Sequence, residues 1–371
     1  MSSDMNVTIK AERLMLRMHK PVKFGELVIS ERPSCVVTAT LSSGIEGRAF
    51  TLDRGGPLCE IVTGVLAPRY ESVFEGDPAS CWDACLASHH PVLSAGVGLR
   101  ALSIVDIAVY DALSREAGTS VAEYVNASGP PPPLYGIVGY PPTSGPKEIE
   151  AEVAAAIQSG VVGVKLPIAG SVKETRARAF SAIEAADGLP VAIDLAWSMQ
   201  SAEEAARLVE GLDLEWVEDP FVPGNTSELV RLRSMLDVPL ASGDEESHLY
   251  HPEVFLEAEA VDIVRMDATC QGGVTRVLRL AEILPTYGVP VSWHMNTFVH
   301  RQLGCLKGIT TKSVEISSPG SGVDLLAERL VVDSRKLFPQ DSSDDVRGWG
   351  VTSKLDVERP EELGWAAYSP S

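Results

Sequence analysis

The chain has 371 residues, enough for two or three domains or for one barrel with a smaller domain beside it. Hydrophobic residues make up 45% of it, which indicates a large buried core and excludes a disordered chain. A formal net charge of −20 opposes nucleic-acid binding, which needs a basic surface. The same charge means that an anionic small molecule would need a metal, a lysine or an arginine to compensate it locally.

The 6 cysteines show no disulfide or zinc spacing, and the sequence shows no signal peptide and no long apolar run. We therefore expect a soluble, cytoplasmic protein with reduced thiols. Its partner would be a small molecule, with no nucleic acid and no membrane, and we expect a homo-oligomer.

The first part of the chain predicts an α+β domain over residues 1–128. Residues 6–16 and 34–42 are rich in β-branched residues and predict strands, with a polar, Pro-bearing loop (HKPVKFGEL) between them. Residues 98–115 carry apolar side chains at helical spacing and predict a long helix. The run GPPPP at 129–133 fits neither a helix nor a central strand, so it marks a domain boundary.

Beyond this boundary, eight short apolar runs each end in a polar residue, at intervals of 21 to 29 residues. The ends are Tyr140, Lys165, Asp194, Glu218, Asp244, Asp267, His294 and Glu315. Most of the runs are separated by an amphipathic helical pattern, which predicts a barrel of parallel strands over residues 129–332. The carboxyl ends of such strands meet at one mouth, so the sequence predicts an enzyme with these side chains in one cavity. Residues 333–371 form a polar tail that we expect to pack on the first domain.

Three acidic residues end consecutive strands of this predicted barrel, Asp194, Glu218 and Asp244. Any one of them alone could form a salt bridge or a cap, but three carboxylates at one mouth would repel each other unless a cation neutralised them. Mg²⁺ prefers such oxygen ligands, so we predict a magnesium site. We prefer Asp244 to Glu245 as the third ligand because neighbouring residues of a strand point in opposite directions.

The remaining strand ends predict acid–base chemistry. Asp267 would hold one imidazole nitrogen of His294 and leave the other free to accept a proton. Lys165, beside a divalent ion, would have a lowered pKa and donate hydrogen bonds to a developing oxyanion; an exposed ion pair with Glu218 is the alternative. Glu315 could donate a proton if it is protonated, and a salt bridge is again the alternative.

The ordered set RALSIVDIAVYDAL, VKL, AID, EWVEDP, ASGDE, DIVRMDATCQGGVTR, SWH and SVE resembles the enolase superfamily, mandelate racemase subgroup, over nearly the whole chain. The resemblance implies an α/β fold: a modified TIM barrel, (β/α)₇β, under an N-terminal α+β capping domain that the C-terminal tail completes. It also implies Mg²⁺-assisted removal of the proton α to a carboxylate. The family's ligands and bases fall on the same metal triad, on the His294–Asp267 pair and on Glu315.

Two departures from the family pattern narrow the expected reaction. The family often carries Lys-x-Lys on the second strand, but Pro167 stands at the second position, so racemisation by two opposed bases is not expected. The Asn of the usual Asp-x-Asn is replaced by Ala196. A Lys-Leu-Pro run with the His–Asp pair retained is similar to the acid-sugar dehydratases, such as the L-rhamnonate dehydratases.

The resemblance therefore implies a carbon–oxygen lyase that dehydrates a sugar acid to a 2-keto-3-deoxy acid. Residues 21–26 and 52–56 would close over the substrate. Two alternatives remain open at this point. One is a single-base isomerase, racemase or lactone cycloisomerase, with Tyr140 as a candidate for the group opposite His294. The other is a barrel that binds an acid without turnover.

Overall fold

The computed structural model describes residues 5–24, 27–140, 142–317, 347–350 and 365–367. Its strands are β1 (Val7–Phe24), β2 (Leu27–Leu41), β3 (Glu46–Leu52), β4 (Leu134–Ile137), β5 (Gly163–Pro167), β6 (Val191–Asp194), β7 (Trp216–Glu218), β8 (Leu240–Ser242), β9 (Ile263–Met266), β10 (Val291–Trp293), β11 (Thr311–Ser317) and β12 (Trp365–Ala367).

Helices precede the barrel and then alternate with its strands. They are α1 (Leu58–Ile61), α2 (Ala67–Val73), α3 (Pro78–Leu93), α4 (Gly96–Glu116), α5 (Val121–Tyr124), α6 (Pro146–Gln158), α7 (Val172–Ala186), α8 (Ala202–Val209), α9 (Thr226–Arg233), α10 (Glu253–Glu257), α11 (Gly273–Ile283) and α12 (Thr297–Leu303). A π-helical turn covers Val62–Leu66 and a 3₁₀ turn covers Leu284–Thr286. None of the helices in the described ranges is long and apolar enough to cross a membrane.

The first domain is a four-stranded antiparallel sheet in the order β12–β1–β2–β3, packed against α4. The loop predicted between the first two strands is wrong for its described residues, because β1 extends to Phe24 and pairs with β2 from Leu27 onward. The pairing shifts register between Arg17 and Val22, and Pro21 lies in this irregular stretch. A bulge is where a strand tolerates a proline, which has no N–H to donate. Of the predicted closing segment 21–26, residues 25 and 26 lie outside the described residues.

The second domain is a closed barrel of parallel strands in the order β10–β11–β4–β5–β6–β7–β8–β9. Seven helices, α6 to α12, separate its eight strands, which confirms the predicted (β/α)₇β architecture. Tyr135 and Trp216 pack inside the barrel with their ring centroids 4.9 Å apart. Side chains alternate along a strand, so Glu218 follows Trp216 two residues nearer the mouth. This apolar layer fills the barrel interior directly below the polar residues at the strand ends. The domain limits given above stay a prediction.

The cap is fastened to the barrel through a buried contact between α4 and the start of α11. Asp106 is fully buried and accepts hydrogen bonds from the backbone N and the Oγ1 of Thr275, both at 2.8 Å. The backbone of Gly273 has φ +74°, and a Cβ placed there would lie 2.6 Å from Asp106 Oδ2. This close approach sets the position of the cap over the barrel mouth.

We expect Gly273→Ala to destabilise the protein more than Gly288→Ala. Gly288 has φ +66° with open space around it, so its replacement measures the backbone strain alone, about 1–2 kcal/mol. At Gly273 the clash with Asp106 adds about 1–3 kcal/mol. Urea unfolding of both variants measures the difference in the free energy of unfolding. An equal decrease in the two variants would show that Asp106 moves away from the added Cβ without a cost in stability.

Candidate active site

The predicted strand ends converge on one cavity between the cap and the barrel mouth, with a volume of about 180 Å³. Of the residues predicted for the site, the cavity is lined by Tyr140, Lys165, Asp194, Asp267, His294 and Glu315. Glu218 and Asp244 lie beside these residues and are buried. The cap contributes Leu52 and Arg54 from the segment predicted to close over a substrate.

Lys165 lies at the centre of an ion network. It is 3% exposed, and its Nζ lies 2.5 Å from Glu218 Oε1, 2.6 Å from Glu315 Oε1 and 3.2 Å from Asp194 Oδ2. Burial lowers the pKa of Lys165, but the three carboxylates outweigh it and hold the pKa well above its ordinary value. The lowered pKa expected beside a divalent ion stays a prediction. The alternative ion pair with Glu218 is present, but it is buried and not exposed.

Arg265, which the sequence analysis missed, completes this network from below. It is fully buried on β9, with its Nε 3.2 Å from Glu218 Oε1, and it also pairs with Glu315. Burial favours the neutral acid, but Arg265 and Lys165 hold the pKa of Glu315 below its ordinary value. Glu315 is thus an ionised salt-bridge partner, not a proton donor. A basic residue two positions before Asp267, and so on the same face of the strand, was the signal in the sequence.

A second group of carboxylates lies at the carboxyl ends of β7 and β8. Oxygen atoms of Glu218, Asp219 and Asp244 lie within 4.8 Å of one another, and all three residues are buried. Among the described residues, Asp219 Oδ2 and Asp244 Oδ1 have no hydrogen-bond partner. Burial raises the pKa of Asp219 to about 6 and that of Glu218 to about 7, and it holds that of Asp244 well above the ordinary value. Crowded, buried carboxylate oxygens, two of which receive no hydrogen bond from the described residues, fit a hard divalent cation such as Mg²⁺.

This group differs by one residue from the predicted metal triad, which has Asp194 where the structure has Asp219. Asp194 lies on the side of Glu218 that faces Lys165, and Lys165 contacts Asp194 there. Asp194 also accepts a hydrogen bond from the backbone N–H of Ala196 at 2.8 Å. In a regular strand the side chain of Asp219 would point away from that of Glu218. The backbone of Asp219 is not in the strand conformation, because its φ is +40°. Asp219 Oδ1 then accepts hydrogen bonds from Ser242 Oγ at 2.6 Å and from Gly243 N at 2.8 Å, the two residues before Asp244. The assignment of the third ligand stays a proposal.

His294 and Asp267 form the predicted pair. Asp267 Oδ2 accepts from His294 Nδ1 at 3.0 Å, and His294 Nε2 lies 3.5 Å from Asp244 Oδ2. Burial lowers the pKa of His294, but the carboxylates of Asp244 and Asp267 raise it by more than burial lowers it. The resulting pKa is about 9. The imidazole is therefore oriented by one acid, and its second nitrogen faces the acidic cluster.

His300 supports this pair, although its position in the sequence gave no signal. It is fully buried and stacked on Trp293, with 5.0 Å between ring centroids. Its Nε2 accepts the N–H of Ala268 at 3.0 Å, so its Nδ1 carries the proton and donates to the carbonyl of Met295 at 2.7 Å. These bonds fix the backbone on both sides of the pair, next to Asp267 and next to His294.

Glu245 turns away from the acidic cluster and toward the cap, in agreement with the preference for Asp244. It forms ion pairs with Arg54 and Arg100. Burial favours the neutral acid, but the two arginines lower the pKa of Glu245. The contact therefore joins cap and barrel across the rim of the cavity.

The fold and the site together define a class of protein: a parallel β/α barrel with an α+β cap, and a mouth holding clustered carboxylates, a buried lysine and a His–Asp pair. The sequence profile of the family described as enolase C-terminal domain-like matches residues 148–353, more than half of the chain. The chain belongs to this family.

Three known proteins show how far the similarity extends. The chain is 26% identical over 329 residues to the "Putative L-rhamnonate dehydratase" of Caldivirga maquilingensis, covering 83% of this chain and 74% of that protein. It is 24% identical over 212 residues to the L-talarate/galactarate dehydratase of Salmonella typhimurium, covering 56% of this chain and 53% of that protein. The chain thus matches about half the length of the latter relative.

A crystal structure of an enolase from the alpha proteobacterium BAL199 with bound Mg superposes with a TM-score of 0.80 at 24% identity. The match covers 95% of this chain and 98% of that chain, and it confirms the fold.

The ion network revises the expected effect of replacing Lys165. A polar strand end predicts little change in stability for Lys165→Ala, but the buried network predicts a loss of about 3–5 kcal/mol, since three carboxylates lose a partner. Urea unfolding measures this loss. Lys312→Ala is the control, because Lys312 is half-buried and, among the described residues, pairs with one carboxylate, that of Glu215. Equal stability of wild type and Lys165→Ala would contradict the network.

Proposed function

We propose that this protein is a Mg²⁺-dependent dehydratase of a sugar acid. The observation that carries the proposal is the imidazole of His294, which is oriented by Asp267 at 3.0 Å and faces a cluster of buried carboxylates. The relatives named as sugar-acid dehydratases support the reaction class. The cap–barrel cavity supports a small-molecule substrate.

The metal would be held by Glu218 and Asp244 together with Asp194 or Asp219. Bound there, Mg²⁺ would supply a Lewis acid that binds the substrate carboxylate and stabilises the charge that develops when the α proton leaves. The Asp244 carboxylate is one of the groups that raise the pKa of His294. The bound ion would neutralise this carboxylate and so reduce its effect on that pKa.

The protein's own groups would carry the proton. His294 Nε2 takes the proton from C2, and the electron pair of that bond forms the C2–C3 double bond as the 3-hydroxyl leaves. The same imidazolium gives its proton to the leaving hydroxyl, which departs as water, and the enol product becomes the 2-keto-3-deoxy acid. Lys165 donates hydrogen bonds to the carboxylate oxygens of the substrate, where negative charge collects.

The cavity offers poor support for an isomerase with a second base. Pro167 lines it where a second lysine would stand. Burial raises the pKa of Tyr140, although Arg32 and Arg54 oppose this, so Tyr140 stays protonated at neutral pH. A protonated phenol cannot take a proton from the opposite face.

The test is a screen of mono- and diacid sugars for 2-keto-3-deoxy products in the presence of Mg²⁺. We expect at least one acid to give such a product, and no product after EDTA treatment. An epimer or a lactone as the only product would contradict dehydration and favour the isomerase or cycloisomerase.

A further inference from the structure

One basic side chain on the cap side of the cavity has no acidic partner among the described residues. The cationic side chains that line the cavity are Arg32, Arg54, Arg100 and Lys165. Arg54 and Arg100 pair with Glu245, and Lys165 pairs with three carboxylates. Within the described ranges, Arg32 forms no such pair.

Arg32 is held in place by neutral groups. Its Nη2 donates to the phenol oxygen of Tyr140, and its guanidinium carbon lies 5.8 Å from the centre of that ring. Its Nε is buried and has no hydrogen-bond acceptor among the described residues. Arg32 as a whole is half-buried, but its buried Nε is an unused donor on a cation that lines the cavity, so the arrangement points to an anionic ligand.

The position of Arg32 separates this anion from Asp244. Tyr140 follows β4, and in the closed strand order β4 stands four strands from β8, which is the opposite side of an eight-stranded barrel. The loop after β8 carries Asp244, whose Oδ2 lies 3.5 Å from His294 Nε2, and His294 itself follows β10, two strands from β4. A ligand that spans the cavity would thus place one end at the acidic cluster and the other end at Arg32.

We propose that the substrate carries a second carboxylate at the end remote from the reacting carbon, and that Arg32, held by Tyr140, binds it. The substrate class is then a diacid sugar, a statement that rests on the proposed dehydratase function. A guanidinium recognises a carboxylate through two parallel N–H donors, whereas a terminal hydroxymethyl group would leave the charge unmatched.

The kinetic test compares acid sugars that match from C1 to C5 and differ only at C6, which carries a hydroxymethyl, a carboxylate or a phosphate ester. We expect wild type to prefer the diacid to the monoacid by about 10- to 100-fold in kcat/KM, the usual effect of a charge-assisted hydrogen bond. Arg32→Gln should remove this preference by slowing the diacid alone, and Arg32→Lys should keep part of it. Arg231→Gln, on the exposed face of α9, is the control and should change neither.

A binding measurement separates this proposal from the reaction. In His294→Asn, calorimetry of the diacid and the monoacid with and without Arg32→Gln reports the same preference without turnover. An Arg32-dependent preference for the diacid in binding supports the remote carboxylate site even if no acid is turned over. An equal effect of Arg32→Gln on both acids, in a variant whose unfolding matches wild type, overturns it. Preference for the phosphate ester with the same dependence on Arg32 overturns the diacid assignment and makes the remote group a phosphate.

Discussion

Replacing His294 by asparagine is expected to lower kcat by about 10²–10⁴-fold, the usual contribution of a general base. The side chain is the one imidazole that lines the cavity within the described ranges, and its Nδ1 is bound to Asp267 at 3.0 Å. Substrate affinity should stay near that of wild type, because Lys165, Arg32 and the acidic cluster are unchanged. Steady-state kinetics together with calorimetry of the bound acid measure the two quantities separately.

Two further variants complete this prediction. Asp267→Asn should act in the same direction but more weakly, since it misorients the imidazole without removing it. His90→Asn, at an exposed position of α3, is the control and should have no effect. A fall in affinity that matches the fall in kcat/KM would make His294 a binding residue and would remove it as the base.

Removing divalent cations with EDTA is expected to abolish turnover, and Mg²⁺ should restore it, since clustered carboxylates cannot stabilise a developing anion without a cation. Mg²⁺ should also raise the stability of wild type, by about 2.7 kcal/mol at a concentration of 100 times Kd. Glu218→Gln should stay folded, lose activity and bind Mg²⁺ weakly. Glu215→Gln makes the same change on the barrel side away from the mouth and should bind Mg²⁺ as wild type does.

The same titration decides between the two candidate third ligands. Asp194→Asn should weaken Mg²⁺ binding if the predicted triad holds the ion, whereas Asp219→Asn should weaken it if the buried group in the structure does. Full activity after EDTA treatment, with no change in stability on adding Mg²⁺, would remove the metal from the account.

The barrel could be predicted from the sequence because its signal is local and repeated. Each strand–helix unit places a polar residue at a strand end, and neighbouring parallel strands bring such ends to one mouth whatever the details of packing. The long helix α4 was predicted for the same reason, since its apolar side chains recur at helical spacing. Lys165, Asp194, Asp267, His294 and Glu315 were placed in the cavity on this basis.

What could not be predicted depends on burial and on contacts between distant residues. The charge state of Glu315 follows from Arg265 and Lys165, whose approach is set by the barrel interior. The ion pairs of Glu245 with Arg54 and Arg100 join residues far apart in the chain. Asp219 was missed because a left-handed backbone angle breaks the strand alternation used to place its neighbour.

The measurement that tests the central claim most directly is the exchange of the α proton with solvent deuterium, followed by NMR for the acids that bind. With Mg²⁺ present, we predict that wild type exchanges or eliminates this proton and that His294→Asn leaves it in place although the acid is bound. An acid that binds to wild type with Mg²⁺ and keeps its α proton would contradict the account and identify the protein as an acid-binding barrel. Exchange that survives in His294→Asn would place the base elsewhere, with Lys165 as the first residue to test.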